Sequence, residues 1–178
     1  AQITPPLGIE VQVLAFAFSR SDALGETTFY RYRVINKSGA AIENTYLSIF
    51  SDPDLGDAAD DYVGSDVDAG LGFVYNADNN DGTGSGISYG ENPPAMGYDF
   101  FQGPIVDGDT LGASAFSYFR NVNPPDATSD PTTGIEIYNF QQGLWKDGTP
   151  MRAFGDGYAE TQGAITIPAK KLSEIARE

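Results

Sequence analysis

Oxygen donors crowd into two short stretches of this chain. Residues 51–66, SDPDLGDAADDYVGSD, hold Asp52, Asp54, Asp57, Asp60, Asp61 and Asp66. Residues 75–86, YNADNNDGTGSG, add Asn76, Asp78, Asn80 and Asp81. Carboxylates a few ångströms apart repel by about 4 kcal/mol per pair at an effective dielectric of about 20. A folded loop of this composition therefore needs a cation or bound protons. Ca2+ takes six to eight oxygen ligands in adaptable geometry, whereas Mg2+ demands strict octahedral order and keeps its waters. The ten Asp and Asn residues are the expected metal ligands, and Ca2+ is the expected ion. Pro53 and Gly56 interrupt helix and strand, so 51–66 is expected to be an irregular loop.

The helix–loop–helix calcium site is excluded by position. Counting from Asp52, the sixth place is Asp57 instead of glycine and the twelfth is Val63 instead of glutamate. In the second stretch the sixth place is Asp81 from Asn76, or Thr83 from Asp78. Any cation site here has another geometry. The VDGD and KDGT segments (106–109 and 146–149) read as turns.

The residues that are missing narrow the chemistry further. There is no histidine and no cysteine among the 178 residues. The commonest general base, thiolate nucleophiles, disulfides and sulfur-ligated zinc are all removed. Glycoside hydrolysis needs only two carboxylates. Asp61 and Asp99 could supply them, with Tyr98 and Trp145 as a platform for sugar rings, but no spacing singles these acids out. Catalysis is not expected. Tyr98, Asp99 and Trp145 are kept as candidate ligand-binding residues, with a polysaccharide as the ligand.

Net charge is −15, from 10 basic and 25 acidic side chains. A phosphate backbone and an anionic membrane would both be repelled, so neither nucleic acid nor membrane insertion is expected. The start, AQITPPLGIE, lacks the basic and apolar parts of a signal peptide, which reads as a cytoplasmic or an already processed chain. Acidity and the supply of calcium outside cells favour an extracellular setting.

A core must position these groups. The hydrophobic fraction of 40%, with 11 Phe, 10 Tyr and one Trp, is enough for a folded domain. Alternating and β-branched runs predict strands at 8–19, 27–36, 41–50, 70–76, 109–120 and 163–169. The first is expected to start at an edge and end buried. The turn NKSGA should join 27–36 to 41–50 as a hairpin, and the aromatics of TFYRYR and FSYFR are expected in the core. Thr133 and Glu136 have capping-box spacing, placing a helix within 130–148 with Ile137, Phe140, Leu144 and Trp145 on one face. The expected fold is mainly β, an antiparallel, jelly-roll-like β-sandwich with long ordered loops and one or two short helices. It forms a single module over 1–168, followed by a helical or foreign tail at 169–178 that carries 3 of the 10 basic residues.

The phrases PLGIEVQVLAFAFSRSDAL, SDPDLGDAADDYVGSD, LGFVYNADNNDG, YGENPPAMGYDFFQGP and YNFQQGLWKDGTPM, in that order over about residues 5–158, carry a resemblance. Together they resemble a β-rich segment of large secreted or surface proteins of Bacteroidota and related bacteria, which often end in a type IX secretion sorting domain. The resemblance implies an extracellular or cell-surface setting and a longer parent chain. It implies no activity and no catalytic residues. The expected role is thus a calcium-stabilised structural or adhesive module. Its partners would be calcium, other domains of the parent chain, a second copy through sheet edges, or a polysaccharide.

Overall fold

The computed structural model describes residues 5–66, 69–84 and 86–151. These are mainly β, with antiparallel sheets and one short helix. The chain divides into two compact units, Ala1–Thr45 and Tyr46–Glu178. The candidate strand at 163–169 and the tail at 169–178 lie outside the described residues. Among the described residues no helix is long and apolar enough to cross a membrane.

The first unit is a two-stranded ribbon. β1 (Ile9–Ala17) pairs antiparallel with β2 (Thr28–Asn36), in a register running from Ile9 opposite Asn36 to Ala17 opposite Thr28. That register sets Phe16 across from Phe29, and their rings stack at 5.1 Å. The connecting loop is closed by an Asp22 carbonyl that accepts from Gly25 N–H at 2.8 Å. A Cβ on Gly25 would stand 2.0 Å from the Arg20 carbonyl oxygen, so the loop requires glycine there. At the open end Asn36 Oδ1 accepts from Ser38 N–H at 2.9 Å, and Gly39 follows at φ +77°.

Two expectations fail in this unit. β1 does not end buried, for Leu14, Phe16 and Phe18 are exposed, as are Tyr30 and Tyr32 on β2. A two-stranded ribbon has no second layer of its own to cover either face. Nor do residues 41–50 form a strand. Asn44 sits at φ +52°, a left-handed conformation that breaks the pleat, and β2 takes β1 as its partner instead.

The second unit holds a three-stranded sheet in the order β3 (Asp61–Asp66), β4 (Leu71–Asn76), β5 (Met96–Asp99), all antiparallel. β3 corrects the reading of 51–66 as wholly irregular. Tyr62 and Val63 face Tyr75 and Val74 across the ladder, and cross-strand pairs of aromatic and β-branched residues stabilise such pairing. One face of the sheet carries Asp61, Val63 and Ser65 with Asn76, Val74 and Gly72. A Cβ on Gly72 would meet the Phe116 ring at 3.3 Å.

β6 (Ile105–Val106) and β7 (Asp109–Thr110) form a tight hairpin through Asp107 and Gly108, both at positive φ, as a primed two-residue turn requires. The predicted strand over 109–120 is otherwise not formed. Its aromatics Phe116, Tyr118 and Phe119 instead pack on a core of Phe140, Trp145 and Met151.

Phe140 belongs to α1 (Gly134–Gln141), and the capping box is present. Thr133 N–H donates to Glu136 Oε2 at 2.9 Å, and Glu136 N–H donates to Thr133 Oγ1 at 3.4 Å. The helix ends before Gly143, at φ +75°, so Leu144 and Trp145 lie beyond it, while Ile137 is exposed. The N–H of Thr132, with burial opposing, holds the Glu136 carboxyl below its ordinary value. The stabilisation it gives the helix start is therefore present above the ordinary carboxylate range and is lost as pH falls through the lowered pKa. Thr133→Ala removes the cap and is expected to cost about 1 kcal/mol in chemical denaturation.

Candidate functional site

The acidic site is assembled where β3 begins and β4 ends, between loops 54–60 and 77–90. Glycine makes the close approach possible. Gly56, at φ +89°, would place a Cβ 2.0 Å from Asp81 Oδ2. Cβ atoms on Gly82 and Gly84 would lie 2.6 and 2.8 Å from Asp57 Oδ2. With hydrogen in those places, carboxylates can reach backbone amides across the two loops.

Asp81, 2% exposed, is the hub of this junction. Its Oδ1 accepts from Asp57 N–H at 2.9 Å and its Oδ2 from Tyr89 N–H. The N–H groups of Tyr89 and Asp57 hold its carboxyl below the ordinary value against the effect of burial. Asp57, also buried, accepts from Ala59 N–H at 3.2 Å through Oδ1 and from Gly84 N–H through Oδ2. Asp60 Oδ2 takes Gly82 N–H at 3.0 Å, and Asp61 Oδ2 takes Leu55 N–H at 2.8 Å. Asn76 lies directly opposite Asp61 in the ladder, and its Nδ2 donates to the Asp78 carbonyl at 3.1 Å.

The second oxygens of three of these side chains are left over. Asp60 Oδ1, Asp61 Oδ1 and Asn76 Oδ1 are all buried without a hydrogen-bond partner. Ser65 Oγ is likewise unpartnered, but it sits further along β3 opposite Gly72. Burial, with the charges of Asp60, Asp81 and Asp54 adding to it, pushes the Asp61 carboxyl above its ordinary value. The Leu55 N–H opposes that shift. The ion pairs Arg20–Asp22, Lys37–Glu10 and Arg120–Asp126 lie elsewhere. Residues 1–45 hold four basic and four acidic side chains, so the entire −15 falls on residues 46–178.

No family model matches the chain, and neither a curated protein nor a solved structure matches it.

Of the ten expected ligands, five come together: Asp57, Asp60, Asp61, Asn76 and Asp81. Asp52 and Asp54 are exposed, although the charge of Asp54 reaches Asp61. Asp66 is at the far end of β3, five residues from Asp61, or about 17 Å along an extended strand. Asp78 and Asn80 are exposed, with Asp78 Oδ1 accepting from Asn80 N–H at 2.8 Å, and they line a shallow open hollow with Asn79 and Glu91. Among the described residues no three acidic side chains are grouped so as to hold a metal ion by themselves. The leftover donors are a mixed set of two carboxylates and one amide.

The ligand-binding candidates do not converge. Trp145 is 1% exposed and inside the core, where Tyr118 meets it edge-on at 5.6 Å, so it offers no face to a sugar. Tyr98 and Asp99 are consecutive on β5 and point to opposite faces. Tyr98 hydroxyl accepts from Ser51 Oγ. Asp61 pairs with Asn76 at one end of β4 and Asp99 with Leu71 at the other. Five residues of strand, about 17 Å, separate these positions, well beyond the roughly 5–9.5 Å that a glycosidase pair needs.

Sequence reasoning missed the backbone half of the site: Gly56, Gly82 and Gly84, and the N–H groups of Leu55, Gly82, Gly84 and Tyr89. The signal available was the alternate-glycine run DGTGSG beside the acids, since repeated glycine marks close backbone approach.

Proposed function

We propose that this chain is a non-catalytic, calcium-stabilised module of a secreted or cell-surface bacterial protein, with a structural or adhesive role. In this reading the module itself is an antiparallel, jelly-roll-like β-sandwich. The observation that carries the reading is the set of buried oxygens without partners at Asp60, Asp61 and Asn76, in the part of the chain that holds all of the net negative charge. Buried polar atoms are nearly always satisfied, and an unsatisfied set of hard oxygens is what a calcium ion would satisfy. The resemblance to exported surface proteins supports the setting. The outer edges of the β1–β2 ribbon, with exposed Val11, Val13, Tyr32 and Val34, support assembly with another domain or a second copy by strand addition.

Thermal unfolding in calcium and in chelator tests the reading. A ligand that binds only the folded form stabilises it by about 2.7 kcal/mol at a hundredfold excess over Kd. The melting temperature is expected to rise with calcium and to fall again when chelator is added. Identical melting in both conditions would contradict the proposal.

A carbohydrate-binding role has one specific observation in its favour. Tyr62 is 57% exposed and meets Tyr75 edge-on at 6.1 Å on the sheet face away from Phe116, with Phe73 alongside. Such rings can stack on sugars. Retention on an insoluble polysaccharide, lost in Tyr62→Ala, is the outcome this second reading requires.

A further inference from the structure

Asp60, Asp61 and Asn76 share a feature that the other candidate ligands lack. In each, one terminal atom is tied to a backbone group, across to another segment for Asp60 and Asp61 and two residues along the loop for Asn76, and the other is buried with nothing to bond. Asp60 is held by Gly82 N–H at 3.0 Å, Asp61 by Leu55 N–H at 2.8 Å, and Asn76 by its own donation to the Asp78 carbonyl at 3.1 Å. The three orphaned atoms are all Oδ1. For Asn76 the assignment follows from chemistry. Only the amide nitrogen can donate to a carbonyl, so the atom left over is the oxygen.

Asn76 is the independent witness here, because it is not an acid. It is 7% exposed, and it stands directly across the ladder from Asp61, so the two side chains lie on one face of the sheet. Asp60 is brought to the same corner by its carbonyl, which accepts from Ala77 N–H at 2.7 Å. Asp57 and Asp81 have both carboxylate oxygens engaged by amides and serve as scaffold.

We infer that Asp60 Oδ1, Asp61 Oδ1 and Asn76 Oδ1 are the side-chain ligands of one site for a hard divalent cation of the calcium class, which ties the start of β3 to the end of β4. This rests on the calcium-stabilised reading and selects three of its ten candidate ligands. Two carboxylates match the charge of the ion, a neutral amide oxygen adds a donor without further repulsion, and carbonyls and water complete the six to eight positions. Soft and imidazole-seeking metals find neither sulfur nor nitrogen among these donors. Asp52, at the exposed end of the acidic stretch, lies outside the site.

The test is calcium chloride titration of the full chain, following melting temperature and bound metal, for wild type, Asp52→Asn, Asp61→Asn, Asn76→Leu and Asn76→Asp. Wild type and Asp52→Asn are expected to show the same calcium-dependent shift. Asp61→Asn and Asn76→Leu should raise the apparent Kd at least tenfold. Asn76→Asp is nearly isosteric, so it keeps the test open should Asn76→Leu fail to fold. It should melt below wild type in chelator, because a charge now faces Asp61, and recover in calcium. A wild-type shift that persists unchanged in Asp61→Asn and in both Asn76 variants would overturn the assignment while leaving the calcium reading intact. Absence of any shift or bound ion in wild type would overturn both.

Discussion

Trp145→Ala is expected to destabilise the unit from Tyr46 onward by about 3–5 kcal/mol, the usual range for truncating a buried large aromatic. Trp145 is 1% exposed, meets Tyr118 and Phe140 edge-on at 5.6 and 6.5 Å, and has Met151 in the same cluster. Its backbone N–H donates to the Thr149 carbonyl at 2.8 Å, closing the turn after α1. The small core leaves few neighbours able to move into the void. Denaturant titration followed by circular dichroism measures the loss, since the variant lacks the chain's one tryptophan. Trp145→Phe should cost less, because it keeps a ring against Tyr118. A loss below about 1 kcal/mol for the alanine variant would contradict the assignment of Trp145 to the core and reopen its candidacy as a ligand platform.

The second large effect is expected at Gly56. At φ +89° any other residue pays about 1–2 kcal/mol for the left-handed conformation. Here a Cβ would also stand 2.0 Å from Asp81 Oδ2, the oxygen that accepts from Tyr89 N–H. Gly56→Ala must therefore either expel the hub carboxylate or shift the 54–60 loop. Gly90 provides the control, since it has φ +72° and nothing within 4 Å of its Cβ position. Gly90→Ala should show the conformational cost alone, and Gly56→Ala clearly more. Equal losses would mean that Asp81 does not occupy the position beside Gly56.

The parts of the fold that were legible in the sequence are those governed by local rules. The alternation in 27–36 and 70–76 marks β2 and β4, and Thr133 with Glu136 marks the start of α1, because pleat and cap are decided within a few residues. Residues 41–50 misled because their β-branched and aromatic content is strand-like, while the left-handed Asn44 is not visible in composition. β3 was hidden inside the acidic stretch because Tyr62 and Val63 form a strand only when Tyr75 and Val74 pair with them. The abundance of acids was plain, but their division of labour was not. Which carboxylates serve as scaffold depends on loop glycines separated from Asp57 and Asp81 by some 25 to 27 residues. Trp145 reads the same in sequence whether it is a sugar platform or a core residue, and only its packing against Tyr118 and Phe140 decides.

A binding measurement asks whether the corner formed by Asp60, Asp61 and Asn76 takes up calcium in the folded protein. Equilibrium dialysis of the folded, metal-stripped chain against calcium, with the bound ion counted by elemental analysis and the same done for Asp61→Asn, measures this directly. Wild type is expected to bind calcium saturably, and Asp61→Asn to bind it at least tenfold more weakly. Wild-type protein that remains folded and takes up no calcium would contradict that expectation.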